Sequence, residues 1–260
     1  DGLRVFTTID ARMQGYAENA MTKHMSNLQN EFTRQNRNNK TAPFRDVTPE
    51  EINRILANSI RRSERWRVMT AEGKSKDDIL KSFNKKRKMR IFSWNGDVDT
   101  SMNQRDSIRD YKNHLQGSMM SMNPQTGEVK AYVGGIDYKH FKYDMVTTGK
   151  RQVGSTFKPF VYATAIDQMH MSPCDTLPNT PYCIPAGTRG NMKDWCPKNS
   201  NQKYGGMLSL TDALANSVNT VTARLIDRVG PEPVITLVGK MGIDTENILP
   251  VPSLALGTPD

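Results

Sequence analysis

The stretch RQVGSTFKPF, residues 151–160, fixes where one helix of this chain must begin. Proline has no amide proton and its ring clashes with the turn before it, so Pro159 is tolerated only in a first helical turn. Phe157, Phe160, Val161, Thr164 and Ala165 then fall at i, i+3, i+4, i+7 and i+8, one inward-facing helical stripe. Val153-Gly154 is a flexible approach. Ser155 therefore stands at the helix N-terminus, and Lys158 lies on its face, within reach.

That placement suits nucleophilic chemistry. A serine hydroxyl attacks poorly until a base takes its proton, and a lysine serves as base when desolvation lowers its pKa. Free backbone N–H groups and the helix dipole favour a developing oxyanion at the same point. The pair alone carries little information, because Ser82-x-x-Lys85 and Ser200-x-x-Lys203 repeat it. Ser82 lies in a short helix beside a run of lysines, and Ser200 in a Gly/Asn-rich loop without helical register. Context singles out the first pair.

A second element follows in SLTDALANSVNTVTARLIDRVG. Ser209 and Asp212 cap a helix, NSVN breaks it, and Gly230-Pro231 stops its continuation. Ser217 and Asn219, at the junction, are placed to face one cleft. S-x-N is as common as S-x-x-K, since S-M-N occurs at 101 and 121; order and spacing give it weight.

The rest of the chain divides by pattern. LRVFTTI alternates like a strand, and Asp10 caps a helix over residues 11–25. Residues 26–115 read as a separate, mainly helical module. Thr48, Pro49 and Glu51 form a capping box ahead of Ile52, Ile55, Leu56 and Ile60, and Ser75 and Asp78 open a helix burying Ile79, Leu80 and Phe83. A strand then enters an Asn95-Gly96 turn. From 117, two alternating runs joined by Pro124-Gln125-Thr126-Gly127 form a β-hairpin.

Charge is uneven: the chain carries 36 Lys/Arg against 27 Asp/Glu, and residues 26–115 hold 20 against 12. With no aromatic stacking platform among them, these charges read first as a solvated surface, then as a contact for an anionic wall or membrane, and last for nucleic acid. No apolar run approaches the ~20 residues that span a bilayer. Cys174, Cys183 and Cys196 match no zinc spacing, and the four histidines form no H-E-x-x-H, so no metal and no cofactor is expected. In an oxidising compartment Cys183 and Cys196 are candidates to bridge across the Pro/Gly-rich segment between them; otherwise all three stay reduced. An odd count leaves one thiol over.

Taken in order, RVFTTID, MNPQTGEVKAYVGG, RQVGSTFKPFVYATAID, YGGMLSLTDALANSVNT and PSLALGT resemble the transpeptidase part of class A penicillin-binding proteins, within the serine penicillin-recognising enzymes. The resemblance implies an α/β fold of the DD-peptidase/β-lactamase kind, an antiparallel sheet flanked by helices, incomplete at the C-terminus. Residues 1–25 supply its N-terminal strand and helix, 26–115 a small, mainly helical insert, and 116–260 the first part of the catalytic domain. S-V-N is the form usual in transpeptidases, where class A β-lactamases carry S-D-N. The third motif, K-[ST]-G, does not occur, Lys240-Met241-Gly242 being the nearest string. The chain is therefore expected to be an impaired fragment of a protein that also carries a glycosyltransferase and a membrane anchor upstream, on the periplasmic face of the bacterial inner membrane.

By the same resemblance Ser155 attacks the penultimate D-Ala carbonyl of a peptidoglycan stem peptide, Lys158 accepts its proton and Ser217 relays one to the leaving D-Ala. Asn219 holds the donor peptide, and Trp195, Asn199 and Tyr204, in a W-x-P-x-N…Y-x-G pattern similar to the family's, either line the cleft or pack in the core. β-Lactams acylate Ser155 in place of the stem. The Ser155 N–H supplies one half of the oxyanion hole. Loss of one such donor costs about 100- to 1000-fold in rate. Two alternatives are a non-hydrolysing β-lactam sensor and a module that docks cell-wall synthesis proteins through residues 26–115.

Overall fold

A computed structural model of the protein describes residues 2–257. They form two compact units, one up to Lys150 and one from Arg151.

In the first unit, Asp10 accepts hydrogen bonds from the amides of Arg12 and Met13 and starts α1 (Ala11–Gln35). The alternating residues before it do not form the expected strand. Leu3, Val5 and Phe6 are exposed, and among the described residues the segment's hydrogen bonds to the next sheet are the Thr8 hydroxyl on Val129 O and the Asp10 amide on Lys130 O. One backbone bond cannot make a ladder, which needs repeated pairs of them. Helix α1 runs ten residues past the expected Met25, through the polar stretch SNLQNEFTRQ. Buried Gln29 accounts for that: its amide donates to Asn113 O and accepts from Leu115 N, closing the far end of another helix.

The capping box of α2 (Pro49–Arg61) is complete, with Thr48 Oγ1 on the Glu51 amide and the Glu51 carboxylate on the Thr48 amide. Helices α3 (Glu64–Ala71) and α4 (Lys76–Phe83) follow, each opened by a serine cap, Ser63 and Ser75. Ile60, Ile79 and Phe83 form their shared core. Leu80, expected inside, is 42% exposed, because the short α4 buries only a narrow stripe at Ile79, Ser82 and Phe83. Ser82 itself is spent on structure, donating to Ile79 O and accepting from Arg65 Nε. Strands β1 (Arg87–Ile91) and β2 (Val98–Met102) pair antiparallel about the Asn95-Gly96 turn, where Gly96 takes φ 104°. Helix α5 (Gln104–Asn113) leads to the hairpin of β3 (Met119–Met122) and β4 (Val129–Val133).

The second unit opens with a 3-10 turn, Gly154–Phe157, running directly into α6 (Lys158–Met169) with Pro159 in its first turn. β5 (Thr176–Pro178) pairs antiparallel with β6 (Met207–Ser209). Three helices complete it: α7 (Leu210–Ala215), α8 (Asn219–Val229) and α9 (Pro231–Lys240). Lys240-Met241-Gly242 is the end of α9. Val161, Ala165, Val221, Leu225, Ile226, Val234 and Val238 are fully buried and make one core among α6, α8 and α9. A second 3-10 turn, Pro252–Leu256, ends at Gly257, whose carbonyl accepts from the Gly154 amide. A Cβ built on Gly257 would meet Gly154 O at 2.0 Å, so this close approach requires glycine.

Between β5 and β6 the loop is pinned to α8. Arg224 lies over the Tyr182 ring at 4.2 Å and donates to Pro178 O, while the Tyr182 hydroxyl donates to Asp227. Cys183 and Cys196 are disulfide-bonded and Cys174 is exposed and free. Since the bond joins residues 13 apart, its removal by Cys183→Ala/Cys196→Ala should destabilise the protein by about 3 kcal/mol, mainly by freeing the unfolded chain. Urea unfolding measures this, and an unchanged midpoint would contradict it.

Candidate active site

Lys158 is the first residue of α6 and is only 1% exposed, in a position where a lysine would ordinarily reach solvent. Its ammonium donates to three oxygens of one short segment: Ser217 O at 2.7 Å, Ser217 Oγ at 2.9 Å and Asn219 Oδ1 at 2.6 Å. All three ammonium protons are thereby placed, and burial pushes the group down from 10.5 to about 8.

Helix α7 ends in a way that presents those oxygens. The Ser217 amide bonds to Leu214 O and the Val218 amide to Ala213 O, the paired bonds of a Schellman cap. Its left-handed position, usually glycine, is held by Ser217 at φ 52°. A residue carrying a Cβ tolerates that conformation at a cost of about 1–2 kcal/mol. What glycine could not supply there is the hydroxyl.

Asn219 is the first residue of α8, and its amide is held at both ends. Oδ1 faces Lys158 and Nδ2 donates to Lys198 O at 2.8 Å, which fixes its orientation. Ser155 lies in the 3-10 turn and is exposed. Its hydroxyl is not one of the ammonium's three acceptors: Ser155 is exposed while Lys158, three residues on, is buried. Neither the Ser155 hydroxyl nor its amide hydrogen-bonds to any described residue.

The structure thus brings Lys158, Ser217 and Asn219 into contact, with Ser155 one turn before them. Trp195 is half-buried against the core and exchanges two backbone hydrogen bonds with Ile184. Tyr204 is 40% exposed. The third S-x-x-K copy, Ser200/Lys203, lies in a turn closed by the Gln202 amide on Asn199 O. Asn199 is 5% exposed, with Oδ1 accepting from the amides of Asn219 and Thr220. A cap twenty residues from the helix it serves leaves no local signature in the sequence.

The transpeptidase model of penicillin-binding proteins matches residues 117–259, more than half of the chain. The chain belongs to the penicillin-binding protein transpeptidase family. Residues 39–115 match the penicillin-binding protein middle domain. Penicillin-binding protein 1A of Aquifex aeolicus is 39% identical over 146 residues, covering 55% of this chain and 19% of the relative. The Escherichia coli protein of the same name is 35% identical over 146 residues, 55% of this chain and 17% of the relative. The chain thus matches under a fifth of these relatives' length. A crystal structure of penicillin-binding protein 1A from Haemophilus influenzae is similar in fold, with TM-score 0.59 and 21% identity over 98% of this chain and 40% of that one. Among the described residues there is no cluster able to hold a metal ion, and no helix is long and apolar enough to cross a membrane.

Proposed function

We propose that this transpeptidase-family chain supplies the acylating half of a peptidoglycan D,D-transpeptidase. The observation carrying the reading is the buried Lys158 ammonium seated on Ser217 and Asn219. Once deprotonated, Lys158 Nζ accepts the Ser155 hydroxyl proton as Ser155 Oγ attacks the penultimate D-Ala carbonyl carbon of a stem peptide. The Ser155 amide donates to the oxyanion. As the tetrahedral intermediate collapses, the peptide nitrogen of the terminal D-Ala leaves with the Ser217 hydroxyl proton, and Lys158 returns a proton to Ser217. An amine of a second stem then attacks the acyl carbon, releases Ser155 and closes the cross-link.

Asn219 positions the donor peptide, and Trp195 and Tyr204 border its path. A β-lactam follows the first step, its ring amide opening on Ser155 Oγ. The longer protein works on the extracytoplasmic face of the bacterial inner membrane, with residues 26–115 available to cell-wall synthesis partners.

Intact-mass measurement after incubation with penicillin tests this. One added drug mass, absent in Ser155→Ala, is the expected result. The longer protein carrying K-[ST]-G should label about 100- to 1000-fold faster, as expected for a second oxyanion donor. Failure of both to label would sink the reading.

A further inference from the structure

Helix α8 begins without a cap of its own. Val218, at the cap position, has no side chain able to accept a hydrogen bond, and the helix's first amides need one. Asn199 supplies it from the β5–β6 loop, its Oδ1 accepting from the amides of Asn219 at 3.0 Å and Thr220 at 3.1 Å. Asn199 Nδ2 is anchored in turn on Lys203 O at 2.9 Å and Asn179 Oδ1 at 2.8 Å. Thr220 Oγ1 donates to Asn179 Oδ1 at 2.8 Å, closing the ring. Asn179 is fixed in its own right, its amide on Gly206 O and its carbonyl under the Gly205 amide, next to the β5–β6 ladder. All three side chains are nearly or fully buried: Asn179 9%, Asn199 5% and Thr220 0% exposed.

We infer that Asn199 is a positioning residue for the proton-transfer site, setting the first turn of α8 so that Asn219 Oδ1 meets Lys158. The neighbouring Lys198 carbonyl takes Asn219 Nδ2, so the same two loop residues set both the backbone and the amide orientation of Asn219. A loop built only for core packing would have no need to bury two asparagine amides. Burying such a group is unfavourable unless its donors and acceptor are matched, as both amide protons and the oxygen of Asn199 are here. The inference rests on the transpeptidase reading for its functional meaning, but its physical content is the state of Lys158.

That state is measurable without turnover. The Lys158 side-chain 13Cε shift, assigned by its loss in Lys158→Met, is followed against pH in the wild type, Asn199→Ala, Asn219→Ala and the double variant. In the wild type the midpoint is expected near 8. Asn199→Ala frees Asn219, the ammonium loses an acceptor, and the midpoint should move to lower pH. Asn219→Ala should move it the same way, and the double variant no further, because both act through one contact. Penicillin acylation should fall about 10- to 100-fold in Asn199→Ala, the scale of an ångström-sized misplacement. An unmoved midpoint in folded Asn199→Ala, or shifts that add in the double variant, would overturn the inference. If Asn199→Ala does not fold, Asn199→Asp retains the acceptor for both amides. Its carboxylate, two links from the ammonium, should then move the midpoint up, and an unmoved midpoint overturns the inference there too. A wild type that titrates as expected, while neither it nor the longer protein takes up penicillin, would defeat the transpeptidase reading alone.

Discussion

Lys158→Met should slow acylation of Ser155 by penicillin about 100- to 10 000-fold, the contribution of a positioned general base. In the wild type the rate should rise about tenfold per pH unit below 8 and level off above it, because Lys158, lowered to about 8, must lose its proton before it can accept one. The residual rate of the variant should show no such inflection. Stability carries the same group with a definite sign. Between about 8 and the ordinary 10.5, the unfolded chain holds a proton on Lys158 that the folded chain has lost, so folding stability rises with pH across that window. Below it, both states are protonated and the contribution is flat. The variant should lack this rise, which comparison of urea midpoints at pH 7.5 and 10 would reveal. Acylation that keeps both its rate and its inflection without Lys158 would remove it from the chemistry.

The choice of Lys158 rested on a register that sequence could express. Pro159 and the stripe through Val161 and Ala165 set the start of α6, and local rules also placed the caps at Asp10, Thr48, Ser75 and Ser209. Each of these signals lies within four residues of its effect. What could not be read depended on partners far along the chain. Helix α1 continues to Gln35 because Gln29 bonds to residues 113 and 115, and no periodicity in a polar stretch announces that. The strand expected over residues 3–9 had the right alternation, yet Leu3, Val5 and Phe6 have no buried surface to meet in the described residues. The disulfide was one of two open states of Cys183 and Cys196 until the loop brought their Cα atoms to 4.2 Å. In the site, Ser217 and Asn219 were visible as a junction, but not the left-handed serine nor the cap from Asn199. A serine in a glycine position reads as any other serine until its dihedral angle is known.

That serine yields a result in which stability and activity part. Ser217→Gly and Ser217→Ala both remove the hydroxyl that accepts from Lys158 and, in the proposed reaction, protonates the leaving group. Both should therefore acylate about 100- to 10 000-fold more slowly than the wild type. They should differ in stability. Alanine keeps its Cβ at φ 52° and with it the cost of about 1–2 kcal/mol, whereas glycine adopts that angle freely. Glycine's greater freedom in the unfolded chain returns about 0.4–1 kcal/mol of that difference. Ser217→Gly should thus exceed Ser217→Ala by about 0.5–1 kcal/mol, or roughly 1–4 °C in melting temperature for a chain of this size. If the alanine variant proves the more stable, the left-handed serine is not strained and its glycine-like position has no bearing on the site. If instead the glycine variant is more stable and equally active, the hydroxyl has no part in proton transfer. The expected outcome, greater stability than alanine with the same loss of rate, means that the fold accepts a strained residue at the end of α7 because the reaction needs its hydroxyl beside Lys158.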